Sequence, residues 1–424
     1  MGFILIIDNI SDMEYVLACF EENLFNIMTL LKICICRMNR NGLAEILKEV
    51  KVDLIPERYK TDEEKIAFLN YNNFSLMIVR ITLGSGTTAS IMYYLSATAT
   101  NIERVIANSS YGYVLPYKTH PLIEPTNLTI YILLCLYQFI IVLSLIFGYV
   151  AIDCLFISIG LHVSGVFSAL SCKVKHVLNN QENRKRRIKE LILRHIRLVR
   201  LADSLESVFN VLIFQQLIGS TIHLTLLGYD SLLSITLGEE KKLFAFVFIA
   251  CRVLISLLIY CYIGECLINE STSFGESIYH CKWYNISQEE IKLMQICMMR
   301  SSKQMQLTVG KFFVLSLTTF TDIKLFEIVI VFLLHERYIA IGDVWPLRNS
   351  VYRFVRYNGR PLSYARESFG NLSAETCIRY TILTCGTNPS HHEIMAKRHL
   401  TSLLLSLLVN LSVDLEEYIR PFKV

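Results

Sequence analysis

The sequence predicts an all-α, polytopic transmembrane helical bundle, and three observations carry that prediction. Of the 424 residues, 53 % are hydrophobic and 18 % charged, against roughly 45–50 % and about 25 % in soluble domains. Mean hydropathy is +0.42, and the apolar excess is gathered into long blocks rather than spread along the chain. No proline occurs between Pro125 and Pro346, so nothing in that stretch forces a kink. This composition excludes a disordered chain, a collagen and a small disulfide scaffold. A net charge of +4 is too small to imply nucleic acid.

A helix needs ~20 residues to cross about 30 Å of hydrocarbon. Six stretches qualify, at 13–36, 75–99, 129–171, 205–236, 243–267 and 310–334. The first is the weakest, because Glu21, Glu22 and Lys32 interrupt it. The third would measure ~64 Å as one helix, so it reads as a single long helix or as a hairpin. Loop charge decides. Segment 172–203 carries ten Lys and Arg, and 100–128 carries two. A hairpin would put both on one side, whereas the positive-inside rule separates them. The expectation is therefore one long helix, with 37–65, 172–203 and 268–309 facing the cytoplasm and the C-terminus outside. Residues 1–335 form the transmembrane region. Residues 336–424 regain prolines at Pro346, Pro361, Pro389 and Pro421 and read as a separate tail of unknown structure.

Met1–Asp8 is too short for a cleavable signal and lacks a basic start. The thirteen cysteines show no paired CxxC spacing, and most lie where thiols stay reduced. No HExxH or GxSxG occurs, so no enzyme, metal or cofactor is expected. Gly310-Lys311 lacks the upstream glycine of a P-loop. The small residues Gly84-Ser85-Gly86-Thr87-Thr88 inside a span suggest helix packing. The run Arg184-Lys185-Arg186-Arg187 opens a helical stretch with Ile188, Ile192, Ile196 and Val199 on one face. It reads as the topogenic end of a cytoplasmic extension rather than a nucleic-acid patch. Asp322, Lys324 and Glu327 cluster in the last span, where charge is costly unless paired or wetted. They mark a snorkelling span end, or a helix lining an ion pathway or a subunit interface.

From about residue 37 to 324 the chain resembles the insect odorant receptors. The strongest match is Cys261-Tyr-Ile-Gly-Glu-Cys-Leu-Ile-Asn-Glu-Ser-Thr-Ser-Phe-Gly-Glu-Ser-Ile-Tyr-His-Cys-Lys-Trp-Tyr284, similar to that family's sixth-span exit. Thr308-Val-Gly-Lys-Phe312 and Leu315-Ser-Leu-Thr-Thr-Phe320 resemble the entry to its seventh span. Gln215–Thr221 with Gly228-Tyr229 resembles its fifth, and Leu115-Pro-Tyr117 its second outer loop. The resemblance implies a ligand-gated cation channel of four subunits, an odorant-binding subunit pairing with an invariant co-receptor. It implies a multi-pass protein of the plasma membrane, in sensory-neuron dendrites, binding a small volatile or apolar ligand. An apolar pocket with few polar groups is expected in the outer half, at Met92, Tyr93, Tyr131, Leu134, Gln138 and Phe248. The seventh span would place Asp322, Lys324 and Glu327 at the pore, with Ile328, Val331 and Phe332 as an apolar constriction. Seven spans are usual in the family and six are read here, the first being the one unmatched; 325–424 also departs from the pattern. A truncated, non-conducting receptor is therefore one alternative. A G-protein-coupled receptor, with its C-terminus inside, and a transporter, with inverted repeats, are the others.

Overall fold

Apolar blocks free of proline become long, unbroken helices. The computed structural model describes residues 13–107, 115–116, 127–178, 183–236 and 240–321. Seven helices follow in order: α1 Met13–Met38, α2 Arg40–Asp53, α3 Asp62–Ala107, α4 Leu128–Val177, α5 Arg184–Thr236, α6 Glu240–His280 and α7 Gln288–Ser301. Among the described residues, Leu128–Val177, Arg184–Gly228 and Ile249–His280 are long and apolar enough to cross a membrane, with mean hydropathies of 2.6, 1.5 and 1.8. The sequence expectation of a single helix over 129–171 holds: α4 is one helix of 50 residues, ~75 Å long.

The described residues divide into two compact units, those up to His223 together with Ser256 to Thr321, and those from Leu224 to Ile255. In the first, α3 packs along α4, and the core is built from residues such as Phe156, Phe167, Leu191, Phe209, Ile263 and Phe274, all at most 1–2 % exposed. In the second, Leu224, Ala250 and Val253 pack together with Ile249.

The basic run does open a helix, but the buried face differs from the one read in the sequence. Ile188, Leu191, His195, Leu198 and Ala202 are buried, while Ile196 is 37 % exposed. Starting from Ile188, steps of three and four residues lead to 191, 195, 198 and 202, and Ile196 falls about 100° away. Arg184 pairs with Glu290 at 3.1 Å and Lys185 with Glu289, docking the start of α5 on the start of α7. Ser287 and Glu290 form a capping box there. Burial alone would raise the Glu290 carboxyl, but hydrogen bonds from Arg184 and Ser287 hold it below its usual range.

Two further expectations are corrected. The small-residue stretch packs only in part: Gly86 is buried, whereas a Cβ on Gly84 would meet nothing within 4 Å. Thr87 and Ser85 instead bond back to carbonyls of their own helix, which satisfies their hydroxyls without a partner helix. The span expected from residue 310 starts later, because strands β1 (Thr308–Val309) and β2 (Phe313–Val314) form a small antiparallel hairpin. Its turn has positive φ at both Gly310 and Lys311, the geometry of a type I′ turn. Helix resumes at 317–321.

Candidate functional site

The N-terminal part of α4 carries three of the expected pocket residues. Tyr131 is 3 % exposed, Gln138 is 8 % exposed and Leu134 is half-buried. All three sit at helical spacing on one side of α4. The residue that ties α3 to this stretch is Tyr94, which donates its hydroxyl to the Cys135 carbonyl at 2.6 Å. Its ring lies 5.2 Å from that of Phe139. Met92 does not join them: it is 63 % exposed, on another face of α3. The side chains of Tyr93 and Phe248 lie outside the described residues.

Further along α4 is a buried polar network. Lys32 of α1 pairs with Asp153 of α4, the two side chains being 1 % and 5 % exposed. Tyr260 of α6 donates to the same carboxylate oxygen at 2.6 Å. The Lys32 ammonium also sits 3.5 Å from the centroid of the Tyr149 ring, and Tyr149 donates to Gln216 of α5 at 2.6 Å. Every strong group has an opposite partner, which is how ionisable residues persist at membrane depth. Lys32, read in the sequence as an interruption, is the hub joining four helices.

The far end of α4 meets a second polar cluster. Asp53, at the end of α2, accepts from Arg58 and Arg197 at 2.9 Å each. Arg197 also pairs with Glu49, and His162 Nε2 lies 3.8 Å from Asp53. Tyr59 donates to the Asp53 carbonyl at 3.0 Å and stacks on Phe68 with centroids 4.6 Å apart. Burial, and then the Asp53 charge, push the Tyr59 hydroxyl well above its usual range. Burial, and then Arg197, lower the Arg58 guanidinium. A cavity of about 30 Å³ lies among these residues, with Lys173 and Arg194 also on its wall.

A third arrangement explains the motif in α6. A Cβ on Gly264 would come within 2.3 Å of the Leu315 carbonyl oxygen, so only glycine lets the chain cross α6 here. The neighbouring Glu265 accepts the backbone N–H of Leu317 at 3.3 Å. Ser316 accepts the N–H of Thr319 at 3.2 Å, as an N-cap does. The Gly-Glu pair thus seats the first turn of the last helix. Asp322, Lys324, Glu327, Ile328, Val331 and Phe332 follow that turn and lie outside the described residues.

Residues 23–326 match the family described as 7tm odorant receptor. The chain belongs to that odorant receptor family. Odorant receptor 82a of Drosophila melanogaster is 22 % identical over 328 residues, covering 74 % of this receptor and 82 % of the relative. The odorant receptor coreceptor of Anopheles gambiae is 31 % identical over 138 residues. That match spans 32 % of this receptor and only 28 % of the length of the coreceptor. The solved insect olfactory receptor OR5 from Machilis hrabei superposes with a TM-score of 0.64, over 78 % of this chain and 84 % of that one, at 11 % identity. The same receptor in complex with eugenol gives a TM-score of 0.64. This odorant receptor therefore has the olfactory-receptor fold and is a multi-pass membrane protein.

In this receptor, sequence reasoning pointed to Tyr131, Leu134 and Gln138 near the start of α4 but missed Tyr94, Asp153 and the Asp53 cluster. Tyr94 neighbours the expected Tyr93, so one step along the helix separates them. Asp153 lies in an apolar run, and a lone acid there is the signal that could have marked it as the partner of Lys32.

Proposed function

We propose that this receptor is the odorant-binding subunit of a ligand-gated cation channel, assembled as a heterotetramer with a co-receptor subunit. It acts in the plasma membrane of sensory-neuron dendrites, with 172–203 in the cytoplasm. The family match over 23–326 is the observation that carries the reading. The buried Tyr131 and Gln138, with half-buried Leu134, offer the largely apolar wall with few polar groups that a small odorant needs, and Tyr93 extends the candidate lining. The helix seated by Gly264 and Glu265 leads into the pore, with Asp322, Lys324 and Glu327 wetted and Ile328, Val331 and Phe332 narrowing it.

The test is co-expression with an odorant co-receptor under voltage clamp, against a panel of volatile compounds. A cation current that needs both subunits is expected. Tyr131→Ala and Gln138→Leu should change which compounds activate it, and cysteines at Ile328 or Val331 should become blockable by thiol reagents. Robust G-protein-dependent signalling with no ligand-evoked current would favour the receptor-coupled alternative.

A further inference from the structure

The cavity between the 54–61 linker and helices α3, α4 and α5 has a wall that odorant binding does not use. Four cations, Arg58, Lys173, Arg194 and Arg197, line it with two carboxylates, Asp53 and Glu64. Both carboxylates are already engaged. Asp53 takes Arg58 and Arg197, and Glu64 accepts the Lys60 N–H at 3.3 Å while its own N–H donates to Thr61, a reciprocal cap on α3. Lys173 is 7 % exposed, and its Nζ is buried with no hydrogen-bond partner. Arg194 donates to the Arg58 carbonyl at 3.0 Å. Among the described residues, neither Lys173 nor Arg194 has a carboxylate within ion-pair distance.

A buried ammonium with no hydrogen-bond partner is unfavourable; Glu64 and Glu190 attract it only from beyond ion-pair distance, and an anion from outside would supply the missing contact. The interior of about 30 Å³ exceeds the ~10–15 Å³ that one water needs. Odorant-sized ligands need pockets of about 300–1,000 Å³, so the cavity excludes them. It admits one or two oxygens of an anion whose remainder stays in solvent. Two guanidinium groups beside an ammonium suit phosphate oxygens, which accept charge-assisted bonds from several directions. Lys173 also lies two residues past the expected span 129–171, at the edge of the membrane. The ten basic residues of 172–203 put that edge on the cytoplasmic side, where anionic headgroups face the protein.

We propose that Lys173, Arg194 and Arg58 form a binding site for a phosphomonoester group, carried by an inositol-lipid headgroup or present as free phosphate. The full-length chain, purified in neutral detergent, would be titrated with inorganic phosphate and with inositol trisphosphate, following its melting temperature. A parallel series in phosphatidylcholine nanodiscs, with and without phosphatidylinositol bisphosphate, separates the two sources. A shift in detergent alone assigns a soluble phosphate; a shift confined to the bisphosphate discs assigns the headgroup. Lys173→Met and Arg194→Gln are expected to weaken the response about tenfold or more, the effect of losing one charge-assisted hydrogen bond. Lys173→Met removes an unpaired buried charge, so its unliganded melting temperature should hold or rise, and a lost response cannot be put down to misfolding. Arg186→Gln, at an exposed position that pairs with Glu190, should respond as the wild type does. The site is wrong if no probe shifts the wild type, if Lys173→Met responds normally, or if Arg186→Gln loses as much as Arg194→Gln, which would mean diffuse attraction to a basic surface.

Discussion

Two charged clusters sit on α4, centred on Asp153 and Lys173 and ~30 Å apart along the helix. At Asp153 the carboxylate is met by Lys32 and Tyr260, and the ammonium has Tyr149 on its open side. At Lys173 the wall is cationic and the ammonium has no hydrogen-bond partner. Both lysines are buried to a similar degree, so burial alone does not tell a structural charge from a binding one. What separates them is whether the opposite charge is supplied by the chain itself.

The largest expected effect tests the placement of the second cluster, and it is all-or-none. A glycan acceptor engineered near Asn180 should stay unmodified, while the natural sequons at Asn108 and Asn127 should accept glycans; a gel shift reads both. Modification near Asn180 would put the Lys173 cavity outside the cell and overturn the topology. Next comes the closed cluster. Asp153→Asn strands the Lys32 ammonium and should cost about 3–5 kcal/mol, read as a lower melting temperature and reduced surface expression. The double variant Lys32→Met with Asp153→Leu should recover most of that loss, because a packed apolar pair replaces a buried ion pair at little cost.

Smaller effects sharpen the contrast at the open cluster. Arg197→Gln loses its ion pairs to Glu49 and Asp53 and should cost about 1–2 kcal/mol, since these groups are partly exposed. Lys173→Met should go the other way and stabilise the unliganded protein, an outcome that Lys32→Met alone should not share, because it leaves Asp153 without its cation. Arg186→Gln, the exposed control, should change stability by less than about 0.5 kcal/mol. Thermal unfolding of these six variants beside the wild type, under one set of conditions, checks the whole order.

The helices were legible because their signal is local. Hydropathy marks a span within twenty residues, and the charge contrast between 100–128 and 172–203 was enough to read α4 as one helix rather than two. The polar clusters were not legible, because their partners are far apart: 121 positions separate Lys32 from Asp153, and 144 separate Arg197 from Asp53. Rotational phase was lost in a similar way. Ile196 reads as part of a face that His195 and Leu198 occupy. A period near 3.6 tolerates such one-residue slips when the apolar positions are this dense. The hairpin at 308–314 does leave a mark in Gly310, the residue type that a turn with positive φ favours, but a span entry and a phosphate loop leave the same mark.

The continuity of α4 has a mechanical consequence. Its hydrogen-bond ladder runs from Leu128 to Val177 with no proline, and sharp kinks need such an interruption. Gln138 and Lys173 are thus ~52 Å apart on one rod. Side-chain ends travel on a circle of about 5 Å radius, so a 20° turn of the rod about its own axis would carry each by about 2 Å, enough to make or break a hydrogen bond. Torque applied at one end reaches the other without a relay of intermediate contacts, and a proline introduced midway, for example at Ser144, would act as a clutch that releases one end from the other.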